Sequence, residues 1–118
     1  MYEDKILEQY TEKEDIKRIF KLVIKNKIIK TEHFYRRILE RDVSEELVDK
    51  TLHKLEIVKL IDKRRHTQDV GYDLYYELSS SQTLKLCFIP LFDKTLLVNA
   101  ILRHRKWQSS LRELRRRG

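Results

Sequence analysis

Two glycines and one proline punctuate a chain of 118 residues. Tight turns draw on glycine for positive φ and on proline for a preset φ, so this scarcity disfavours a sandwich or barrel and suits helices with few breaks. The length predicts one domain, residues 1–118, with a single modest core. Apolar residues make up 41% and charged residues 38%, which predicts a folded, soluble chain with a heavily charged surface.

The lone cysteine, Cys87, excludes an intramolecular disulfide and a cysteine-rich zinc site, and within its apolar run it reads as a buried small hydrophobe. His33, His53, His66 and His104 share no metal spacing, and no Ser/His/Asp, phosphate-loop or paired-carboxylate arrangement is identifiable. The expectation is therefore a protein without metal, cofactor or catalysis. Residues 1–15 are acidic, unlike a secretory signal. The most apolar window, Leu84–Leu102, is broken by Lys85, Asp93, Lys94 and Asn99, so no membrane span is expected.

The net charge of +7 suits a polyanionic partner without establishing one. Its distribution is uneven: residues 1–15 carry two positive and six negative charges, residues 16–30 six positive and none negative, and residues 99–118 seven positive and one negative. Taken singly, each run reads as a solvated helix face.

Tyr2, Ile6, Leu7 and Tyr10 have helical spacing and predict a short leading helix. Thr11 and Glu14 match a capping box, and Ile16, Ile19, Phe20, Val23 and Ile24 then form the apolar stripe of a first main helix, with Lys17, Arg18, Lys21 and Lys25 opposite. Ile28 and Ile29 read as an extended link. Thr31 is the expected N-cap of a second helix burying Phe34, Ile38 and Leu39. Ser44 caps a third, with Leu47, Val48, Thr51, Leu52 and Leu55 inward and Glu45 and Glu46 in its first turn. Residues 60–78 read as a hairpin, because Tyr72, Leu74, Tyr76 and Leu78 alternate beyond a polar tip, His66–Gly71. Three helices followed by a two-stranded hairpin is the order of a winged helix-turn-helix over 11–79. The predicted class is thus mostly α with a small β-hairpin, carrying N-terminal and long C-terminal helical extensions.

The run Val43-Ser-Glu-Glu-Leu-Val-Asp-Lys-Thr-Leu-His-Lys-Leu-Glu-Ile-Val-Lys-Leu-Ile61 resembles the third helix and first wing strand of winged-helix regulators of the MarR and PadR type. Gly71-Tyr-Asp-Leu-Tyr-Tyr-Glu-Leu-Ser79 resembles their second wing strand, and the likeness covers residues 14–79. Lys59 stands where that family usually has glycine. The exposed face of the third helix is Glu45, Glu46, Asp49, Lys50, His53 and Lys54, more acidic than a helix facing phosphates usually is.

The resemblance implies a transcriptional regulator on double-stranded DNA. Lys63, Arg64, Arg65 and His66 of the wing would lie along phosphates or enter the minor groove, or form an exposed hairpin that is merely basic. Arg36, Arg37 and Arg41 would grip the backbone, although Arg36 and Arg37 have Glu32 and Glu40 as local partners. Ser44, Lys50, His53 and Lys54 would face the DNA from the third helix.

Residues 84–92 fit either a strand or a helix kinked at Pro90. Beyond Asp93, the residues Leu97, Ala100, His104, Trp107, Leu111 and Leu114 alternate spacings of three and four, and Ile101 widens the seam. The 84–117 extension is expected to pair two copies into a homodimer, with a helix folded back on its own domain as the competitor. The leading function is a dimeric DNA-binding regulator, cytoplasmic at the nucleoid in a prokaryote or virus and nuclear in a eukaryote. A winged-helix module binding a protein partner in a transcription or replication assembly is the alternative, favoured by the acidic third helix. RNA binding shares the charge but lacks aromatics visibly arranged for stacking.

Overall fold

Alternation rather than helical spacing governs the second half of the chain. The computed structural model describes residues 5–66 and 68–111. In order, the elements are β1 (Lys5–Tyr10), α1 (Lys13–Ile24), β2 (Lys27–Lys30), α2 (Glu32–Arg41), α3 (Glu45–Thr51), β3 (Val58–His66), β4 (Asp69–Ser79), β5 (Gln82–Pro90) and β6 (Lys94–Arg103). Short 3-10 turns occupy Leu55–Ile57 and Trp107–Ser110. The strands form one sheet in the order β1-β3-β4-β5-β6-β2, antiparallel except for the parallel pair β2·β6.

The expectation of a mostly α winged helix with helical extensions at both ends is overturned, since strands hold 46% of the structure and helices 33%. The leading segment is strand β1, paired with β3, and the tail forms strands β5 and β6. Bulges explain why both segments imitate a helical period. In β6, Phe88 pairs with Leu97 but Cys87 pairs with Asn99, so Val98 is an extra residue. That insertion shifts the alternation by one, and Leu97 and Ala100, three apart, both enter the core at 0% exposure. They lie in the interior of their own chain, not on a helical seam between copies. Leu7 is the extra residue of a similar bulge in β1.

Scarce glycine also misleads for a physical reason. Four strands of nine to eleven residues need only three hairpin turns. Among the described residues only Asp42 has positive φ, at 54° in the turn between α2 and α3. Two-residue hairpin loops usually need positive φ to match strand twist. The Ser80–Ser81 loop does without it beside a register shift between Glu77 and Ser79. Lys59 likewise occupies a register shift, between Val58 and Leu60, that asks for no glycine.

The three main helices and the hairpin form, but α3 ends at Thr51 short of Leu55, and most of the expected tip His66–Gly71 is strand, with β3 running to His66 and β4 starting at Asp69. Thr31 Oγ1 accepts from Phe34 N and Ser44 Oγ from Leu47 N, both at 3.1 Å, as helix caps. The Thr11–Glu14 capping box is not formed: Glu12 is the N-cap of α1 and makes no side-chain cap bond. The helices cover one face of the sheet. Ile16, Ile19, Phe20 and Val23 of α1, Phe34 and Ile38 of α2, and Val48 and Leu52 meet Ile61, Leu74, Tyr76, Leu84, Leu86 and Phe88. Leu39, expected inward on α2, is 82% exposed.

Residues 104–111, beyond β6, run against the opposite face. Thr83 Oγ1 donates to Arg105 O at 2.8 Å and Gln9 Nε2 to Ser110 O at 3.1 Å, so the segment passes from above β5 to β1. Beneath it β5 is buried on both faces.

Candidate nucleic-acid interface

An amphipathic helix on a sheet must present its second face to solvent, and in α1 that face is basic. Lys17, Lys21 and Lys25 follow one another at four-residue steps and are exposed. Arg18 beside them is held by Asp15 at 3.0 Å. Basic residues in the last turn complement the helix dipole, so Lys21 and Lys25 also stabilise the end they occupy. Thr95 Oγ1 donates to Val23 O at 2.7 Å, tying that end to β6. Asn26 then turns the chain into β2, where Lys27 lies opposite Lys94 of β6. Like charges directly opposite each other on a sheet are destabilising, and an anion between them would relieve the repulsion. Among the described residues, Lys17, Lys21, Lys25, Lys27 and Lys94 have no carboxylate within ion-pair distance.

The topology places two turns at this same end of the sheet, because β3 and β5 run in the same direction. One joins β3 to β4 and is flanked by Arg65, whose register partner on β1 is Lys5. The other is Leu91-Phe92-Asp93, closed by Leu91 N donating to Lys94 O at 2.7 Å and touched by Asn26 Nδ2, which donates to Phe92 O at 3.5 Å. Asp69 and Asp93 are the acids of these turns. Phe92 is 99% exposed. Beside it an open groove of about 350 Å3 is lined by Leu22, Lys25, Val70, Tyr72, Pro90, Leu91 and Phe92.

The residues expected to touch DNA are dispersed. Arg65 is exposed near the basic end, whereas Lys63 faces Glu8 at 3.9 Å. Arg64 is turned to the other face of the sheet, its Nε donating to Asp73 Oδ2 at 2.7 Å with a side chain only 13% exposed. The side chain of His66 lies outside the described residues. On α2, Arg36 is exposed, Arg37 donates to Glu40 and His33, and Arg41 Nη1 donates to Asn99 Oδ1 at 2.8 Å. Ser44 is occupied as a cap. Lys50, His53 and Lys54 are exposed, but α3 ends at Thr51, so His53 and Lys54 are not on a helix face.

Two of the three acids of α3, Glu45 and Asp49, have a local partner. Lys30 Nζ stands 2.7 Å from both Glu45 Oε2 and Asp49 Oδ1. Burial opposes the charge on Lys30, but the hydrogen bonds with Asp49 and Glu45 outweigh it and hold the ammonium above its ordinary range. Of the residues expected in a pairing seam, Leu97 and Ala100 are interior, Ile101 and Trp107 half-buried, and His104 and Leu111 exposed. Leu114 lies outside the described residues.

On the far face a second polar group is closed from solvent. Asp62, 0% exposed, accepts from Gln9 Nε2 at 2.7 Å and from the Tyr75 hydroxyl at 2.8 Å. Asp73 receives Arg64, with Lys85 Nζ 3.6 Å away. Burial pushes the Cys87 thiol well up, so it is an inert neighbour of this network. Asp73 has both cations beside it, with its Oδ1 buried and without a hydrogen-bond partner among the described residues, while Asp62 rests mainly on the neutral donors Gln9 and Tyr75.

Sequence reasoning registered the basic run of residues 16–30 but treated it as solvated surface. It missed Phe92 because residues 84–92 were undecided between strand and helix, and only a hairpin sets Phe92 at its tip. Among the described residues no group of three or more His, Cys, Asp or Glu gathers as a metal site, and no helix is long and apolar enough to cross a membrane. Comparison with family models, curated proteins and solved structures finds no match.

Proposed function

We propose that this protein binds nucleic acid, DNA foremost, by gripping phosphates with the basic end of the molecule formed by α1, the start of β2 and the start of β6. The observation that carries this reading is the set Lys17, Lys21, Lys25, Lys27 and Lys94, exposed and without paired carboxylates among the described residues. Ammonium groups on long flexible stems act on phosphates as point charges and carry no base preference of their own. Binding of this kind is driven by counterion release and weakens steeply with salt. Two of the three acids of α3, Glu45 and Asp49, sit in ion pairs with Lys30, which argues against those two reading bases.

The test is titration of a labelled random-sequence duplex at several salt concentrations with wild type and the triple variant Lys21→Ala, Lys25→Ala, Lys27→Ala. The variant is expected to bind every sequence more weakly, with a log–log salt slope shallower by about 2–3, close to one per lost contact. An unchanged slope would remove these lysines from the interface.

One observation favours a protein partner instead. Tyr35 and Leu39, one turn apart on α2, are 43% and 82% exposed. Leu39→Asp leaves DNA binding intact on the first reading and abolishes a partner's binding on the second.

A further inference from the structure

We infer that Phe92 and the groove beside it take an unpaired base, so that the preferred ligand is single-stranded nucleic acid. This rests on the phosphate-binding reading above and names the partner of that same surface. Three observations meet here. Phe92 is 99% exposed at the tip of the β5–β6 turn, where it contributes nothing to the core. The adjoining groove of about 350 Å3 is walled by Leu22, Val70, Tyr72, Pro90 and Leu91. Lys25 lines it as well, Lys94 begins the strand that leaves the turn, and Lys27 begins β2 opposite Lys94.

An apolar concavity with two aromatic side chains suits a flat heterocycle, and the cations beside it suit the phosphates on either side of that base. Strand binders without sequence preference combine these same two parts, a basic track and stacking aromatics. A duplex offers its π-faces only where bases are unstacked, so the groove is of no use to intact double helix. A membrane surface shares the demand for cations and an apolar tip. The recessed groove favours a discrete planar group over a continuous acyl layer.

The experiment compares full-length wild type with Phe92→Ala, a change at a fully exposed position that leaves the core untouched. The probes are a labelled single strand of about 15 nucleotides, the same strand with abasic sites, the matching duplex, and vesicles of phosphatidylserine and phosphatidylcholine. Wild type is expected to prefer the single strand over both abasic strand and duplex. Phe92→Ala should lower single-strand affinity about tenfold, to the abasic level, with an unchanged salt slope.

Equal affinity for normal and abasic strands, or a Phe92→Ala variant that binds single strands like wild type, overturns the inference while leaving the phosphate reading standing. Absence of binding to all three nucleic acids overturns both. Vesicle binding that depends on Phe92, without discrimination between normal and abasic strands, assigns the tip to a membrane surface and likewise overturns the inference.

Discussion

Arg64 and Arg65 are neighbours in β3 with opposite fates, because successive side chains of a strand leave by opposite faces. Arg65 is exposed beside Lys5, while Arg64 lies on the opposite face, 2.7 Å from Asp73 and 3.8 Å from Asp62. A basic triplet in sequence is therefore not a basic triplet in space. The same buried layer sets a pH dependence. Burial raises the Asp62 carboxyl above its ordinary value of 3.8, against the hydrogen bonds from Gln9 and Tyr75. A carboxyl raised in the folded state adds stability while protonated, below the unfolded value, and loses that contribution as pH rises through the folded value. Asp62→Asn cannot ionise, so its stability relative to wild type should increase as pH climbs from 3.8 upward. Urea-unfolding midpoints at a series of pH values check this, and two parallel curves would contradict it.

The helices were legible because their signals are local. The stripe Ile16, Ile19, Phe20, Val23 and the caps Thr31 and Ser44 operate within one or two turns, and each is formed as expected. Strands β1 and β6 were not legible, because one bulge in each resets the side-chain alternation and produces spacings of three that a helix also shows. The two kinds of element make one joint prediction. Leu52 follows α3 at 5% exposure and Leu97 sits in β6 at 0%, both in one apolar cluster. Leu52→Ala and Leu97→Ala should each cost about 2–5 kcal/mol in denaturant unfolding. A loss at Leu97 below about 0.5 kcal/mol, the scale of surface sites, would return that residue to an exterior seam.

Across the described residues the protein is a sheet covered on one side by helices and crossed on the other by residues 104–111. Cys87 is 7% exposed, on the face away from the helices that the segment also touches. Its thiol should react with a disulfide reagent slowly in the full-length protein and faster when the chain is ended after Arg103. Equal rates would show that the segment does not shield the face. By itself the sequence determined the three helices, the caps of α2 and α3, the β3–β4 hairpin and the concentration of positive charge in residues 16–30. These depend on neighbours within a few positions along the chain. Only the tertiary structure decided that β2 pairs with β6 instead of the hairpin, that Arg64 is interior, and that Phe92 stands beside Lys25 and Tyr72 at a basic end. Those outcomes depend on which strands meet and where a bulge shifts their register, and pairing between residues 67 positions apart leaves no local trace.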